Sequence, residues 1–346
     1  MRLASLKGPG RDGSLAVVDR KLQRAAPAAG VVPTLQQAIE HWDDVRAGLE
    51  ALSRELEDGG NAAASFDFAA ALEAGRVAAP LPRAYEWLDG SAYLSHVERV
   101  RRARNDKVPE SYQRDPLMYQ GGAGRMSGPR DPLLAISQDW GIDLEGEIGA
   151  IVGDVPMGAT PEHAAGAVRL LVLVNDVSFR RLIPAELAKG FGFVNGKGAN
   201  ALGPVAVTPD ELGGSWREGR VHLPLVSHVN ERELGHPDAG KDATFGLFEL
   251  IAHAAKTRDL AAGTLVGTGT ISNHDLSAGY ACLMEARLVE QVEQGEAKTP
   301  FLRFGDRVRL EVRDESGASV FGAIDQVVER YSPSALGEGR GEGRRK

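Results

Sequence analysis

The stretch "GIDLEGEIGAIVGD", residues 141–154, decides how this chain is read. Successive side chains of a β-strand point to opposite faces, so Glu145 and Glu147 project side by side while Leu144, Gly146 and Ile148 project away from them. Two like charges at that spacing repel, and nothing nearby in sequence neutralises them. A solvent-facing strand explains such a pair without any function, because antiparallel sheets commonly alternate apolar and polar faces. Half of a metal site explains it differently, since hard divalent cations take carboxylate oxygens. The second reading needs more carboxylates elsewhere in the chain.

Two further segments supply them. Asp176 ends "RLLVLVND" (169–176), a run that reads as a buried strand. A charge at such a tip costs several kcal/mol, on the order of magnitude known for buried ions, unless it is paired or coordinated. Asp89 lies in "EWLDGSAYLSH", where Asp-Gly by itself signals a turn. Glu145, Glu147, Asp176 and Asp89 together are four carboxylates on three segments beside apolar strands. Four such oxygens leave about two positions open on an octahedral cation. That vacancy suits a bidentate oxygen ligand such as a 1,3-dicarbonyl or a 2-oxo acid.

The surroundings are those of a globular β-rich protein. Residues 1–18 alternate around "GRDG" and predict two short strands and a turn. Thr34 with Gln37 predicts a helix start, continued by Leu35, Ile39, Trp42, Leu49 and Leu52 at helical spacing until "EDGGNAAASF" (57–66) breaks it. "AAPLPRAYEW" (78–87) reads as a linker, which divides the chain into an N-terminal domain (1–78), a catalytic domain (79–332) and a disordered tail (333–346). Within 80–332 most segments read as strands. "VHLPLVSHVNERELG" predicts a hairpin, and "FLRFGDRVRLEVRDESGASVFGAID" predicts two strands joined by "DESG". Helices are expected at 160–169 and 244–260, and "CLMEAR" around Glu285 reads as a strand. The fold class is therefore α+β, rich in β.

Charge and composition exclude several classes. A formal net charge of −8 with no basic patch outside the extreme C-terminus argues against nucleic acid. The longest apolar run, "LLVLV", is far too short to span a bilayer, and the N-terminus carries no secretory h-region, which points to the cytoplasm. One cysteine, Cys282, allows no internal disulfide and no cysteine-built zinc site. Its apolar setting reads as a buried structural thiol rather than a nucleophile. There is no G-x-G-x-x-G after a strand and no Walker loop.

The ordered set D89-x6-H96, Y119-Q-G, E145-G-E147, N175-D176-V-S-F-R180, G196-K197 and G269-T270-I-S-N resembles the fumarylacetoacetate hydrolase family over nearly the whole chain. The resemblance implies a small N-terminal β/α domain followed by a mixed β-roll catalytic domain, usually as a homodimer. It implies a divalent metal, Mg²⁺, Ca²⁺ or Mn²⁺, held at Asp89, Glu145, Glu147 and Asp176. It places a general base at His96, an orienting carboxylate at Glu285, and catalytic cations at Lys197 and Arg180. Substrate contacts would come from Tyr119, Arg180, Lys197 and Thr270. A further substrate arginine falls among Arg101, Arg102, Arg104 and Arg114. Ile183 stands where the family commonly has a substrate-touching glutamine.

The reaction so implied is hydrolysis of a carbon–carbon bond in a small diketo acid. Fumarylacetoacetate giving fumarate and acetoacetate, the last step of tyrosine and phenylalanine breakdown, fits best. Other hydrolases, isomerases or decarboxylases of oxo acids, of the acylpyruvate hydrolase or hydroxyheptadienedioate isomerase type, are the alternative. A metal-binding structural module would need the carboxylates but not His96, Lys197 and Glu285.

Overall fold

The computed structural model describes residues 1–59, 65–102 and 109–332. Arg104 and the expected tail at 333–346 lie outside the described residues. Two mixed, open sheets carry the architecture. The larger, 11-stranded sheet begins in the N-terminal segment with Phe66–Asp67, Arg24–Pro27, Ser14–Val18 and Arg2–Leu6. It crosses through Ala206–Val207 to Val168–Asn175 and Gly146–Val152, then to Leu265–Gly267, Trp87–Gly90 and Met118–Gly121. The N-terminal hairpin thus extends the sheet that holds the candidate site, through the pairing of Arg2 with Val207. A five-stranded sheet (Arg232–Gly235, Leu225–Val229, Arg307–Val312, Ile324–Arg330, Leu133–Ala135) packs nearby.

Gly146–Val152 and Val168–Asn175 are buried along almost their whole length and pair antiparallel. Their near-continuous Val, Leu and Ile content is what a strand covered on both faces requires. The expected N-terminal hairpin forms at Arg2–Leu6 and Ser14–Val18, and Leu225–Val229 with Arg232–Gly235 forms the second.

The helices differ from expectation in detail. Thr34 caps a helix as expected, accepting from the Gln37 N–H at 3.3 Å. The apolar periodicity nevertheless spans two helices, Leu35–Glu40 and Trp42–Glu57, interrupted at His41. The helix expected at 244–260 is confined to Leu247–Ala254, and the one at 160–169 to Pro161–Ala167, because Val168 already belongs to a central strand. After Arg307–Val312 the chain makes a wider excursion than "DESG" alone, and the next strand starts only at Ile324.

Glu285 is the main correction. It lies in the first turn of a helix, Leu283–Gln294, rather than on a strand. Leu, Met, Glu, Ala and Arg are all strong helix formers. Cys282 Sγ caps the start by accepting from the Glu285 N–H at 3.4 Å, and Gly295 ends the helix in the left-handed region.

Candidate active site

Neighbouring strands of the large sheet bring the carboxylates together by register. Gly267 lies opposite Asp89 on one side and Gly149 on the other. Glu147 lies opposite Val174, and Asp176 follows the end of that strand. The result is a buried group in which Asp89, Glu147 and Asp176 each offer an oxygen within 4.8 Å of the others. Gly267 leaves room for it. A Cβ there would stand 2.6 Å from Asp89 Oδ1 and 2.9 Å from Glu147 Oε2. Gly269 serves the same corner in another way. Its φ of +75° and the Gly90 carbonyl, which any added Cβ would overlap, exclude other residues, and its N–H donates to Asp89 Oδ1 at 2.9 Å.

Both oxygens of Glu147 and Oδ1 of Asp176 are buried and accept no hydrogen bond. Burial, followed by the repulsion of the neighbouring carboxylates, pushes Asp89 and Glu147 well above the usual carboxylate range. Asp176 is raised for the same first reason, although Lys197 pulls against it. Orphaned anionic oxygens converging on one point fit a hard divalent cation, because such an ion replaces every missing hydrogen bond at once.

Glu145 is different. It precedes the strand, and its oxygens are taken by cations: Arg180 Nη2 at 2.5 Å on Oε1 and Lys197 Nζ at 2.6 Å on Oε2. Burial opposes ionisation, but Arg180 and Lys197 outweigh it and hold Glu145 below the usual carboxylate range. The repulsion read from the sequence is thus relieved at Glu145 by two basic side chains, while no basic side chain or N–H reaches Glu147. Lys197 also donates to Asp176 Oδ2 at 2.5 Å and Ser178 Oγ at 3.0 Å. Its pKa is raised: burial works against the charge, and Asp176 and Glu145 overcome it.

Tyr119 pairs in register with Asp89, donates to Asp176 Oδ2 at 2.7 Å and accepts from Trp87 Nε1 at 3.2 Å. The edge of Phe193 meets its ring at a centroid distance of 5.3 Å. Thr270 is buried in the turn beside Gly269. Arg101 is drawn to Tyr112, donating to its hydroxyl at 2.8 Å.

The second centre is a dyad. His96 sits on the helix Leu94–Arg102, and its Nδ1 lies 3.0 Å from Glu285 Oε2. Burial pushes the His96 imidazole down to about 4, so it is neutral near pH 7. Its electrostatic environment includes Glu145 and Arg180, which ties the dyad to the carboxylate group.

Three residues escape a reading of the sequence. Asp143 receives Arg180 Nε at 2.7 Å and also accepts the N–H groups of Leu283 and Met284 at the start of the Glu285 helix. It belongs to the same alternation as Glu145 and Glu147, which is the one signal the sequence offers for it. Arg99 and Ser272 both donate to Glu285 Oε1, Ser272 at 2.8 Å. Arg99 stands one helical turn after His96, the spacing that puts two residues on one face.

The buried carboxylate group on the mixed sheet and the neighbouring His–Glu dyad form one candidate active site, and sequence comparison gives the family. The fumarylacetoacetate (FAA) hydrolase C-terminal domain matches residues 86–329, and fumarylacetoacetase N-terminal domain 2 matches residues 1–83. The chain belongs to the fumarylacetoacetate hydrolase family.

Among characterised relatives, 2,4-didehydro-3-deoxy-L-rhamnonate hydrolase of Sphingomonas sp. (strain SKA58) is 29% identical over 159 residues, 45% of this chain and 53% of that protein. The chain therefore spans about half the length of such relatives in these matches. Two solved structures share the fold over 96% of this chain and 100% of theirs. They are maleylpyruvate hydrolase from Sphingobium sp. SYK-6 in complex with manganese (II) ion and pyruvate (TM-score 0.63, 17% identity), and fumarylacetoacetate hydrolase from psychrophilic Exiguobacterium antarcticum (TM-score 0.63, 18% identity).

Proposed function

We propose that this protein hydrolyses a carbon–carbon bond in a 1,3-diketo acid, with fumarylacetoacetate as the favoured substrate and fumarate and acetoacetate as products. The observation that carries the reading is the neutral His96 held on Glu285 beside three clustered carboxylates, of which Glu147 and Asp176 carry orphaned oxygens. A purely structural metal site has no use for such a base.

Asp89, Glu147 and Asp176 would hold the divalent cation, Mg²⁺, Ca²⁺ or Mn²⁺, with Glu145 available once Lys197 turns to substrate. Bound there, the cation would act as a Lewis acid that polarises the diketone carbonyls. Glu285 accepts from Nδ1–H of His96, which leaves the Nε2 lone pair free to take a proton from water. The hydroxide oxygen bonds to one carbonyl carbon, and the bond to the central carbon then breaks. Its electron pair leaves as an enolate, and the proton held by His96 passes to the enolate carbon. Lys197 and Arg180 face the developing negative charge, Arg180 as a planar fork and Lys197 as a mobile point charge. Tyr119 and Thr270 would orient the substrate. A cytoplasmic homodimer is the working assembly in this reading.

A second reading is favoured by Ile183, which packs against Gly196 beside Lys197 and cannot hydrogen-bond a substrate carboxylate. The substrate would then be another metal-chelating oxo acid, as for the Sphingobium maleylpyruvate hydrolase.

The test is a spectrophotometric assay on fumarylacetoacetate with and without chelator, beside His96→Ala. Metal-dependent turnover lost in the variant is the expected result. The acidic limb of the wild-type kcat/KM profile should fall nearer 4 than 6.5, because the depressed imidazole stays unprotonated down to that range. Metal binding without turnover of fumarylacetoacetate, but with turnover of an acylpyruvate, would move the assignment to the second reading.

A further inference from the structure

We propose that Arg99 is a positioning residue for the dyad, a guanidinium clamp that fixes the Glu285 carboxylate so that it holds His96 in the base-competent orientation. The proposal rests on the reading of His96 as the base. Arg99 shares the helix Leu94–Arg102 with His96, and its fork spans two segments. Nη1 donates to Glu285 Oε1 and, at 2.9 Å, to Ser272 Oγ, while Nη2 donates to the carbonyls of Asn273 at 2.5 Å and His274 at 3.3 Å. Ser272 is itself held by Ser95 Oγ at 2.8 Å, from the helix that carries His96. The two oxygens of Glu285 thus serve different partners, Oε2 facing His96 while Oε1 is gripped by Arg99 and Ser272.

The electrostatics follow from the same contacts. Glu285 is fully buried, and an uncompensated carboxylate there would take a proton or draw one onto His96. Coupled groups titrate as a pair, so removing the adjacent cation raises the proton affinity of the dyad whichever atom receives the proton. The other groups facing the dyad are Cys282 from the Glu285 helix, and Glu145, Asp143 and Arg180 from the carboxylate side. Around Arg99 stand Glu98, Asp242 and Tyr280. All of these persist when Arg99 is changed. Burial lowers the Arg99 pKa, and Tyr280, Cys282, Glu98 and Asp242 oppose that shift.

The experiment is an NMR titration of histidine-labelled, metal-loaded protein, with the His96 signal assigned by its loss in His96→Gln. In Arg99→Met the proton-uptake midpoint of His96 should rise by about one pH unit or more. Plateau kcat should fall at least about tenfold with KM little changed, as expected for a group acting on the base and not on bound substrate. Arg99→Lys keeps the charge but not the fork, so its midpoint should stay near wild type while kcat is only partly restored.

A folded Arg99→Met protein with an unshifted midpoint and full kcat would overturn the proposal. If Arg99→Met does not fold, full wild-type kcat in Arg99→Lys would overturn it. Turnover that survives in His96→Gln would sink the base assignment instead, and the titration would still report on the clamp.

Discussion

Two buried acidic centres face each other in this protein, and they solve the same electrostatic problem in opposite ways. Glu285 is surrounded by complete compensation, with Arg99, Ser272 and His96 on its two oxygens. Asp89, Glu147 and Asp176 have far less: Lys197 and Tyr119 share one oxygen of Asp176, Gly269 reaches Asp89, and no basic side chain or N–H reaches Glu147, which meets the carboxyl of Asp89. A buried carboxylate is tolerable only when paired or neutralised. The Glu285 centre is finished by the fold itself. In the proposed function a divalent cation would complete the three-carboxylate centre, where Lys197, bridging Glu145 and Asp176, supplies part of the positive charge.

The largest effect that could break this contrast is on cation affinity. Glu147→Ala removes the carboxylate with two orphaned oxygens, and Mn²⁺ affinity measured by calorimetry should fall more than about 100-fold, beyond what loss of an outer-shell partner does. The same measurement on Glu285→Gln should change affinity far less. Equal losses in both variants would mean that the two centres are one.

Stability gives the next test, in chelator. Glu285→Gln leaves Arg99 buried without its counter-charge and should destabilise by about 3–5 kcal/mol in denaturant unfolding. Glu147→Gln takes a repelling charge, or its proton, out of a crowded site and should leave stability unchanged or raise it. The two substitutions are chemically identical, so their opposite outcomes isolate the environment.

The sequence shows one of these centres more clearly than the other. Asp89, Glu145, Glu147 and Asp176 each stand out as acids beside apolar strands, and the β-rich architecture follows from the same runs. What stays hidden is pairing in space. The partition of Glu145 to Arg180 and Lys197, leaving Glu147 bare, depends on strand register and on a loop about 50 residues away. Asp143 goes unmarked because its partners, the N–H groups of Leu283 and Met284, belong to a helix whose first residues read as a strand. Arg99 carries no local mark, since an arginine on an exposed-looking helix is ordinary until the segment 272–274 and Glu285 close over it.

The smallest effect, and the sharpest in sign, is the pH dependence of stability. Asp89, Glu147 and Asp176 have folded-state pKa values raised above the unfolded carboxylate range, by burial first and mutual repulsion next. The folded state therefore binds more protons than the unfolded state once pH exceeds that range. Their contribution is fully present below it and is lost as pH rises through the raised values. His96 acts oppositely, since its folded value near 4 makes stability climb with pH between about 4 and 6.5. The two contributions have opposite signs, and Glu147→Gln changes only the carboxyl one. In chelator, wild-type stability should then decline toward higher pH more steeply than that of Glu147→Gln, which lacks one of the protonated groups. In saturating Mn²⁺ the slope should reverse, because protons now compete with the ion for the same oxygens. Parallel slopes for wild type and Glu147→Gln in chelator would show that Glu147 is already compensated within the fold, and the contrast with Glu285 would fall.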